Sequence, residues 1–153
     1  MTDTSLTIET ILSPELALCQ VPGNSKKRIL EFIASQVAAH YPELSGTRIF
    51  NNLVARERLG STGIGQGIAI PHCRLQDCDR VIGTLVTLED AIAFDAIDNQ
   101  PVDILFALIV PKEATSEHLE LLSQLAEKFN DRSFCDRLRQ CQDNDSLYRV
   151  MVE

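Results

Sequence analysis

The chain has 153 residues and a formal net charge of −8, and apolar residues make up 44% of it. This length suits one domain with a sizeable core, and we expect residues 1–153 to form a single domain. The negative charge argues against a nucleic-acid binder, because phosphate backbones are held by clustered Lys and Arg. Aromatic residues make up only 5% and tryptophan is absent, so the core must consist mainly of aliphatic side chains.

The N-terminal residues Met1–Ser5 carry no basic region before an apolar run, and no stretch of the sequence approaches the length of a membrane span. We therefore expect a cytoplasmic protein without membrane insertion. The five cysteines are an odd number, and the pairs Cys73-x4-Cys78 and Cys135-x5-Cys141 match neither a zinc ribbon nor a redox motif. The sequence thus predicts free thiols, no metal site and no cofactor.

The first third of the chain predicts one strand and one long helix. Ala17–Val21 is rich in apolar residues and is followed by a Pro-Gly turn pair, which is typical of a strand end. A helix then begins at a cap residue, Asn24 or Ser25, and ends near Tyr41. Its apolar side chains recur every four residues, which indicates an amphipathic helix with one face toward the core.

A second helix is predicted from about Thr47 to Arg58, and Gly60 ends it. Four of the chain's seven glycines lie in the segment 57–72, which closes on His72. Glycine at this density lets the backbone approach an anion. A Walker loop would need Gly-Lys-Ser/Thr, and a dinucleotide fingerprint needs another glycine spacing and a following helix. A short strand with a proline follows instead, so we interpret the glycines as a pocket wall that presents an imidazole.

Two strands are predicted beyond the glycines, at Val81–Leu88 and Val102–Val110, after a polar connection over 74–80. The second strand is near-continuously apolar, as a strand covered on both faces should be. A helix capped by Thr115-Ser116-Glu117 follows, and two shorter helices complete the chain. The pattern predicts an α/β domain with a mixed β-sheet flanked by helices on both faces.

The apolar stripe predicted for the helix after Ser116 has helical spacing and should face the sheet. Its members are Leu119, Leu122, Leu125, Ala126 and Phe129.

The residues Ala55–Gly65 and Gly67–His72 closely resemble the active-site signature of the enzyme IIA domains of the bacterial phosphotransferase system, mannitol/fructose class. The similarity runs over nearly the whole chain, and the segments Leu6–Ile8 and Ser25–Arg28 resemble the nitrogen-regulatory branch of that family. Cys73 departs from the pattern, since the residue after the histidine is often glycine in the family.

The resemblance implies that His72 accepts a phosphoryl group, on its Nε2 (tele) nitrogen, with Arg56 and His118 beside it. A neutral imidazole is a nucleophile near neutral pH, and a guanidinium can fork onto two phosphate oxygens. His118 falls in the first turn of a predicted helix, whose positive end favours an anion and a neutral ring. From the residues alone, Arg56 could simply complement a helix dipole and His118 could be a solvated surface residue.

Ser61, Thr62 and Gly63 are predicted to support the phosphate from the glycine loop. The two hydroxyl groups could equally cap the loop, and the sequence does not separate these roles.

The function that the resemblance implies is a histidine phosphoryl relay with a regulatory output. The donor would be a histidine phosphocarrier protein of the HPr or NPr kind, and the family implies regulatory targets such as potassium transporters or sensor kinases. No linker toward a IIB domain follows residue 153, and Lys26-Lys27-Arg28 at a helix start indicates a docking surface, so we expect the regulatory role. The alternatives are a sugar-specific enzyme IIA that passes the group to a IIB domain, and a binding-only regulator without phosphotransfer.

Overall fold

The computed structural model describes residues 7–23, 25–113 and 117–153, with residues 117 and 118 described by their backbone only. The elements in chain order are α1 (Ile8–Ile11), β1 (Leu12–Val21), α2 (Lys26–His40), α3 (Gly46–Leu59), β2 (Gly63–Gly65), β3 (Ile68–Ala69), β4 (His72–Leu75), β5 (Ile82–Ile92), β6 (Val102–Pro111), α4 (Glu117–Phe129), α5 (Arg132–Gln140) and α6 (Asn144–Val152).

The strands form one mixed sheet in the order β1-β5-β6-β3-β2, and β4 also pairs with β6. β5 runs antiparallel to β6, whereas β1 runs parallel to β5. On its other edge β6 pairs in parallel first with β3 and then with β4. The predicted mixed α/β architecture is confirmed.

The core is centred on β6. Every residue from Ile104 to Ile109 is fully buried. Because successive strand residues point to opposite faces, both faces of the sheet must be covered at this strand. On one face the ring of Phe106 lies 6.5 Å from that of Phe129 in α4. The near-continuous apolar run in the sequence therefore predicted the burial of β6 correctly.

Helix ends follow the capping residues of the sequence. The side chain of Ser25 accepts a hydrogen bond from the Arg28 amide at the start of α2, which selects Ser25 over Asn24 as the cap. Gly60 is the C-cap of α3, as predicted. None of the helices in the described part of the chain is long and apolar enough to span a membrane.

Strand β1 begins at Leu12, five residues before the predicted start at Ala17. The added residues include Pro14, which is tolerated because β1 is an edge strand, where a missing amide hydrogen bond costs little. The pairing with β5 is indeed irregular between Leu12 and Ala17.

The predicted polar connection over 74–80 was partly wrong. Arg74 and Leu75 belong to β4, where they pair with Val110 and Pro111 of β6. Strand β4 begins at the histidine itself. Its four residues are ordered by backbone pairing with β6 rather than by their own strand propensity.

The buried stripe of α4 also differs from the prediction. Leu121, Leu125 and Phe129 are buried, whereas Leu119 is 58% exposed and Ala126 is exposed. Both sets have helical spacing, so periodicity alone could not fix which side of the helix faces the sheet.

Two leucines of α4 test this assignment with the same chemical change. Leu125→Ala should lower the free energy of unfolding by about 2–5 kcal/mol because it leaves a cavity in the core. Leu119→Ala should change it by less than about 0.5 kcal/mol because the side chain is largely in solvent. Urea denaturation followed by circular dichroism measures both, and equal losses would contradict the assigned helix orientation.

Candidate functional site

The glycine-rich segment forms a tight β-hairpin at the sheet edge, in which β2 pairs antiparallel with β3. Gln66 and Gly67 connect the strands with φ values of 60° and 84°, as expected for a two-residue hairpin turn with both centres left-handed. A Cβ atom at Gly67 would lie 2.7 Å from Nη2 of Arg139 and would displace that guanidinium, and the positive φ itself favours glycine. The guanidinium of Arg139 also donates to the Gln66 carbonyl at 2.8 Å, which fixes the turn.

The hairpin leads directly into the strand that carries the histidine. His72 opens β4 and lies beside Leu108 of β6, and the Leu108 amide donates to the Pro71 carbonyl at 2.8 Å. The imidazole is half-buried, and its Nδ1 lies 2.8 Å from the Ile70 carbonyl oxygen. A carbonyl only accepts, so Nδ1 carries the hydrogen and, in the neutral ring, Nε2 carries the lone pair.

The next residue, Cys73, points away from the histidine and is buried. Burial, together with the nearby Cys78 thiol, raises the pKa of Cys73 to about 12. The thiol is therefore neutral and sits on the opposite side of the strand from the imidazole. No group of three or more His, Cys, Asp and Glu side chains in the described residues is arranged to hold a metal ion.

His72 and Arg56 line the same open cleft, which has a volume of about 540 Å³. Arg56 is half-buried, and its Nη1 donates to the Gly60 carbonyl at 2.9 Å. This bond folds the side chain back over the end of α3. The structure thus brings together two of the three predicted catalytic residues.

Two further cations line this cleft, Arg74 and Lys112. Nη1 of Arg74 donates to the Lys112 carbonyl at 2.8 Å, and Asn52 of α3 donates to the Arg74 carbonyl at 2.9 Å. Sequence reasoning missed Arg74 because it was assigned to a loop. Strand alternation would have found it, since residues two apart lie on one face. The cleft carries positive charge although the chain as a whole is acidic, which suits an anionic group.

His118 lies in the first turn of α4, where the sequence predicted it. Its side chain is outside the described residues, as are Thr115 and Ser116 of the predicted cap. The role of His118 beside His72 stays a prediction.

Ser61, Thr62 and Gly63 are not among the residues that line the cleft. The hydroxyl of Ser61 donates to the Phe94 carbonyl at 2.8 Å and accepts from the Gly63 amide at 3.0 Å. Thr62 is buried, and both its amide and its hydroxyl donate to the Glu57 carboxylate. These groups have partners within the chain, which corresponds to the loop-capping alternative; a direct contact with phosphate stays a prediction.

Lys26, one of the three cations of the predicted docking surface, forms an ion pair within the chain and is mostly shielded from solvent. Its Nζ lies 2.8 Å from Oε2 of Glu57, and the side chain is only 23% exposed. Lys27 and Arg28 remain more open to solvent. Sequence reasoning missed Glu57 itself, although its place four residues after Leu53 puts it on the buried face of α3.

Comparison with known proteins supports this architecture. The model of the family "Phosphoenolpyruvate-dependent sugar phosphotransferase system, EIIA 2" matches residues 10–153. The nitrogen regulatory protein of Pseudomonas aeruginosa is 51% identical over 146 residues, which are 95% of this chain and 95% of that protein. The nitrogen regulatory protein of Escherichia coli is 47% identical over 152 residues, which are 99% of this chain and 93% of that protein.

A solved structure agrees with these sequence matches. The crystal structure of nitrogen regulatory protein IIA-Ntr from Neisseria meningitidis superposes with a TM-score of 0.88 at 37% identity, covering 94% of this chain and 98% of that one. This chain therefore belongs to the EIIA type 2 family of the phosphoenolpyruvate-dependent sugar phosphotransferase system, as a protein similar to nitrogen regulatory IIA proteins.

Proposed function

We propose that this protein is a phosphoryl-accepting regulator, which takes a phosphoryl group on Nε2 of His72 from a histidine phosphocarrier protein and acts on target proteins according to its phosphorylation state. The observation that carries the proposal is the hydrogen bond from His72 Nδ1 to the Ile70 carbonyl in a positively charged cleft. It leaves the lone pair of the neutral ring on the tele nitrogen. The family as a whole takes part in phosphotransfer.

The transfer step needs few groups. The Nε2 lone pair of His72 forms the bond to phosphorus as the N–P bond of the donor phosphohistidine breaks, and that electron pair returns to the donor nitrogen. The proton on Nδ1 stays in its hydrogen bond with the Ile70 carbonyl, which stabilises the positive charge that develops on the ring. Most of the remaining catalysis is charge compensation for the phosphoryl oxygens and alignment with the donor.

Arg56 is the residue that we assign to this charge compensation. A guanidinium stays protonated and can bind two phosphoryl oxygens at once, and Arg56 shares the cleft with His72. Arg74 and Lys112 add positive charge to the same cleft. We assign His118 a further donor role, because the first turn of α4 is a favourable place for an anion.

The regulatory part of the proposal is supported by the relatives, which are named nitrogen regulatory proteins and match almost the full chain. A phosphoryl group adds about two negative charges and three strong acceptor oxygens, so it changes what the cleft rim can bind. A binding partner that contacts this rim would therefore distinguish the two states.

His72→Ala should abolish phosphorylation, because among the described residues no second imidazole lines the cleft. Incubation with a phosphorylated histidine phosphocarrier should give wild-type protein an acid-labile, alkali-stable mark that the variant lacks. His40→Ala is the matched control, since that ring lies at the end of α2 near Glu15 and should not affect the mark. A mark that persists in His72→Ala would refute the assignment.

Arg56→Ala should slow phosphoryl transfer by about 100-fold, the usual cost of losing one donor to a developing anion. Arg56→Lys should recover only part of the rate, because an ammonium group cannot fork. Rapid-quench kinetics with the phosphorylated carrier gives these rates. Arg58→Ala removes the same charge from the same helical turn, but Arg58 does not line the cleft, so its rate should match wild type.

Phosphorylation should weaken capture of a regulatory target through added negative charge at the rim. We expect wild type and His72→Ala to capture the same proteins from cell extract, and the charge mimic His72→Asp to capture less of them. Affinity purification with quantitative mass spectrometry measures the difference. Equal capture by all three forms, or a sugar-specific IIB as the sole partner, would show that the regulatory reading is wrong.

A further inference from the structure

Of the charged side chains in the described residues, Glu57 alone is buried. A buried carboxylate is costly unless it is paired and hydrogen-bonded. Glu57 meets this requirement through Nζ of Lys26 at 2.8 Å and the backbone amide of Thr62 at 3.1 Å, with the Thr62 hydroxyl as a third donor. It does not line the cleft of His72, so direct contact with the phosphoryl group does not explain it.

We propose that Glu57, paired with Lys26, is a positioning residue that sets the orientation and tautomer of the His72 imidazole. Two hydrogen bonds connect Thr62, which donates to Glu57, with the ring of His72. In the first, the Thr62 carbonyl accepts from the Ile70 amide at 3.0 Å. Ile70 in turn accepts from Nδ1 of His72 at 2.8 Å. A shift of Thr62 therefore moves the carbonyl that selects the ring nitrogen carrying the hydrogen.

The same residue supports the arginine of the cleft. Glu57 is the neighbour of Arg56 in the last turn of α3, and its carbonyl accepts from the Gly60 amide at 3.2 Å. The Gly60 carbonyl is the acceptor for Nη1 of Arg56. Both the imidazole and the guanidinium thus depend on the short loop over 60–63, which the Glu57 side chain ties to the helix.

Lys26 anchors this arrangement to the rest of the molecule. Its Nζ donates to the Phe94 carbonyl at 3.3 Å and lies 4.7 Å from the centre of the Phe94 ring. The same Phe94 carbonyl accepts from the Ser61 hydroxyl at 2.8 Å. The start of α2, the end of α3 and the segment around Phe94 therefore meet at the Lys26–Glu57 ion pair. Together they fix the loop that precedes His72.

The double variant Lys26→Met with Glu57→Gln removes the ion pair without leaving either charge buried alone. The side-chain amide introduced at position 57 would still accept one bond from Thr62, so the fold should persist while the hold on the loop weakens. Arg137→Met with Glu153→Gln is the control, because it removes an ion pair whose two side chains are about half exposed and which does not line the cleft of His72.

The primary readout is the nitrogen-15 chemical shift of each ring nitrogen of His72, measured by NMR on unphosphorylated protein at alkaline pH. In wild type and control we expect a protonated Nδ1 and an unprotonated Nε2. In the double variant we expect both shifts to move toward an average of the two tautomers. Ring shifts identical to wild type in a folded double variant would overturn the proposal.

The kinetic consequence rests on the proposed function of His72. Phosphoryl transfer should be about 10-fold slower in the double variant and unchanged in the control, because small misplacements of reacting groups are costly in rate. The NMR readout does not depend on phosphotransfer. If wild type accepts no phosphoryl group but the ring shifts change in the double variant, the proposed function fails and the positioning role stands.

Thr62 provides a second route if circular dichroism shows that the double variant has lost its fold. Thr62→Val removes the hydroxyl bond to Glu57 at nearly constant volume, whereas Thr62→Ser retains the hydroxyl. We expect Thr62→Val to move the ring shifts in the same direction and Thr62→Ser to stay close to wild type. Wild-type ring shifts in Thr62→Val would then overturn the proposal.

Discussion

The pairing of one edge of β6 with two successive strands is the constraint on which the site depends. Ile68 of β3 lies beside Ile104, and His72 of β4 lies beside Leu108, so the register is the same before and after the interruption. Pro71 has no amide hydrogen to give to the ladder, and the line of pairing breaks at this point and then resumes. The histidine is therefore placed by the sheet itself, beside Leu108, which is fully buried.

Much of the fold could be predicted because its signals are local. The burial of β6 followed from a continuous apolar run, and the cap of α2 followed from a serine or asparagine just before the helical pattern. The failures have a common physical cause. The start of β1 depends on whether its strand lies at an edge, and the buried side of α4 depends on where the sheet lies. Both depend on tertiary packing, which the periodicity of the sequence does not specify.

The candidate site could likewise be predicted only in part, because local sequence patterns mark some of its residues and not others. The signature around His72 carried the histidine and Arg56, which the structure places in one cleft. Arg74 was missed because a four-residue strand leaves almost no pattern in a sequence. Glu57 was read only as part of the signature. A carboxylate on the buried face of an amphipathic helix is unusual, however, and it indicates a cationic or hydrogen-bonding partner. Its partner, Lys26, lies at the start of the preceding helix, and no local sequence pattern predicts a contact between these two residues.

The burial of Cys73 has a consequence for chemical selectivity. Thiolates are stronger nucleophiles than imidazoles, and a cysteine next to the proposed acceptor, His72, could compete for an electrophile. With a pKa of about 12, the thiol of Cys73 is ionised in roughly one molecule in 100,000 at neutral pH. Strand alternation adds a steric barrier, since Cys73 is buried whereas the neighbouring His72 is only half-buried. Two adjacent residues of one strand thus differ in both protonation and burial, and under the proposed function the neutral, buried thiol would not compete with His72 for a phosphoryl group.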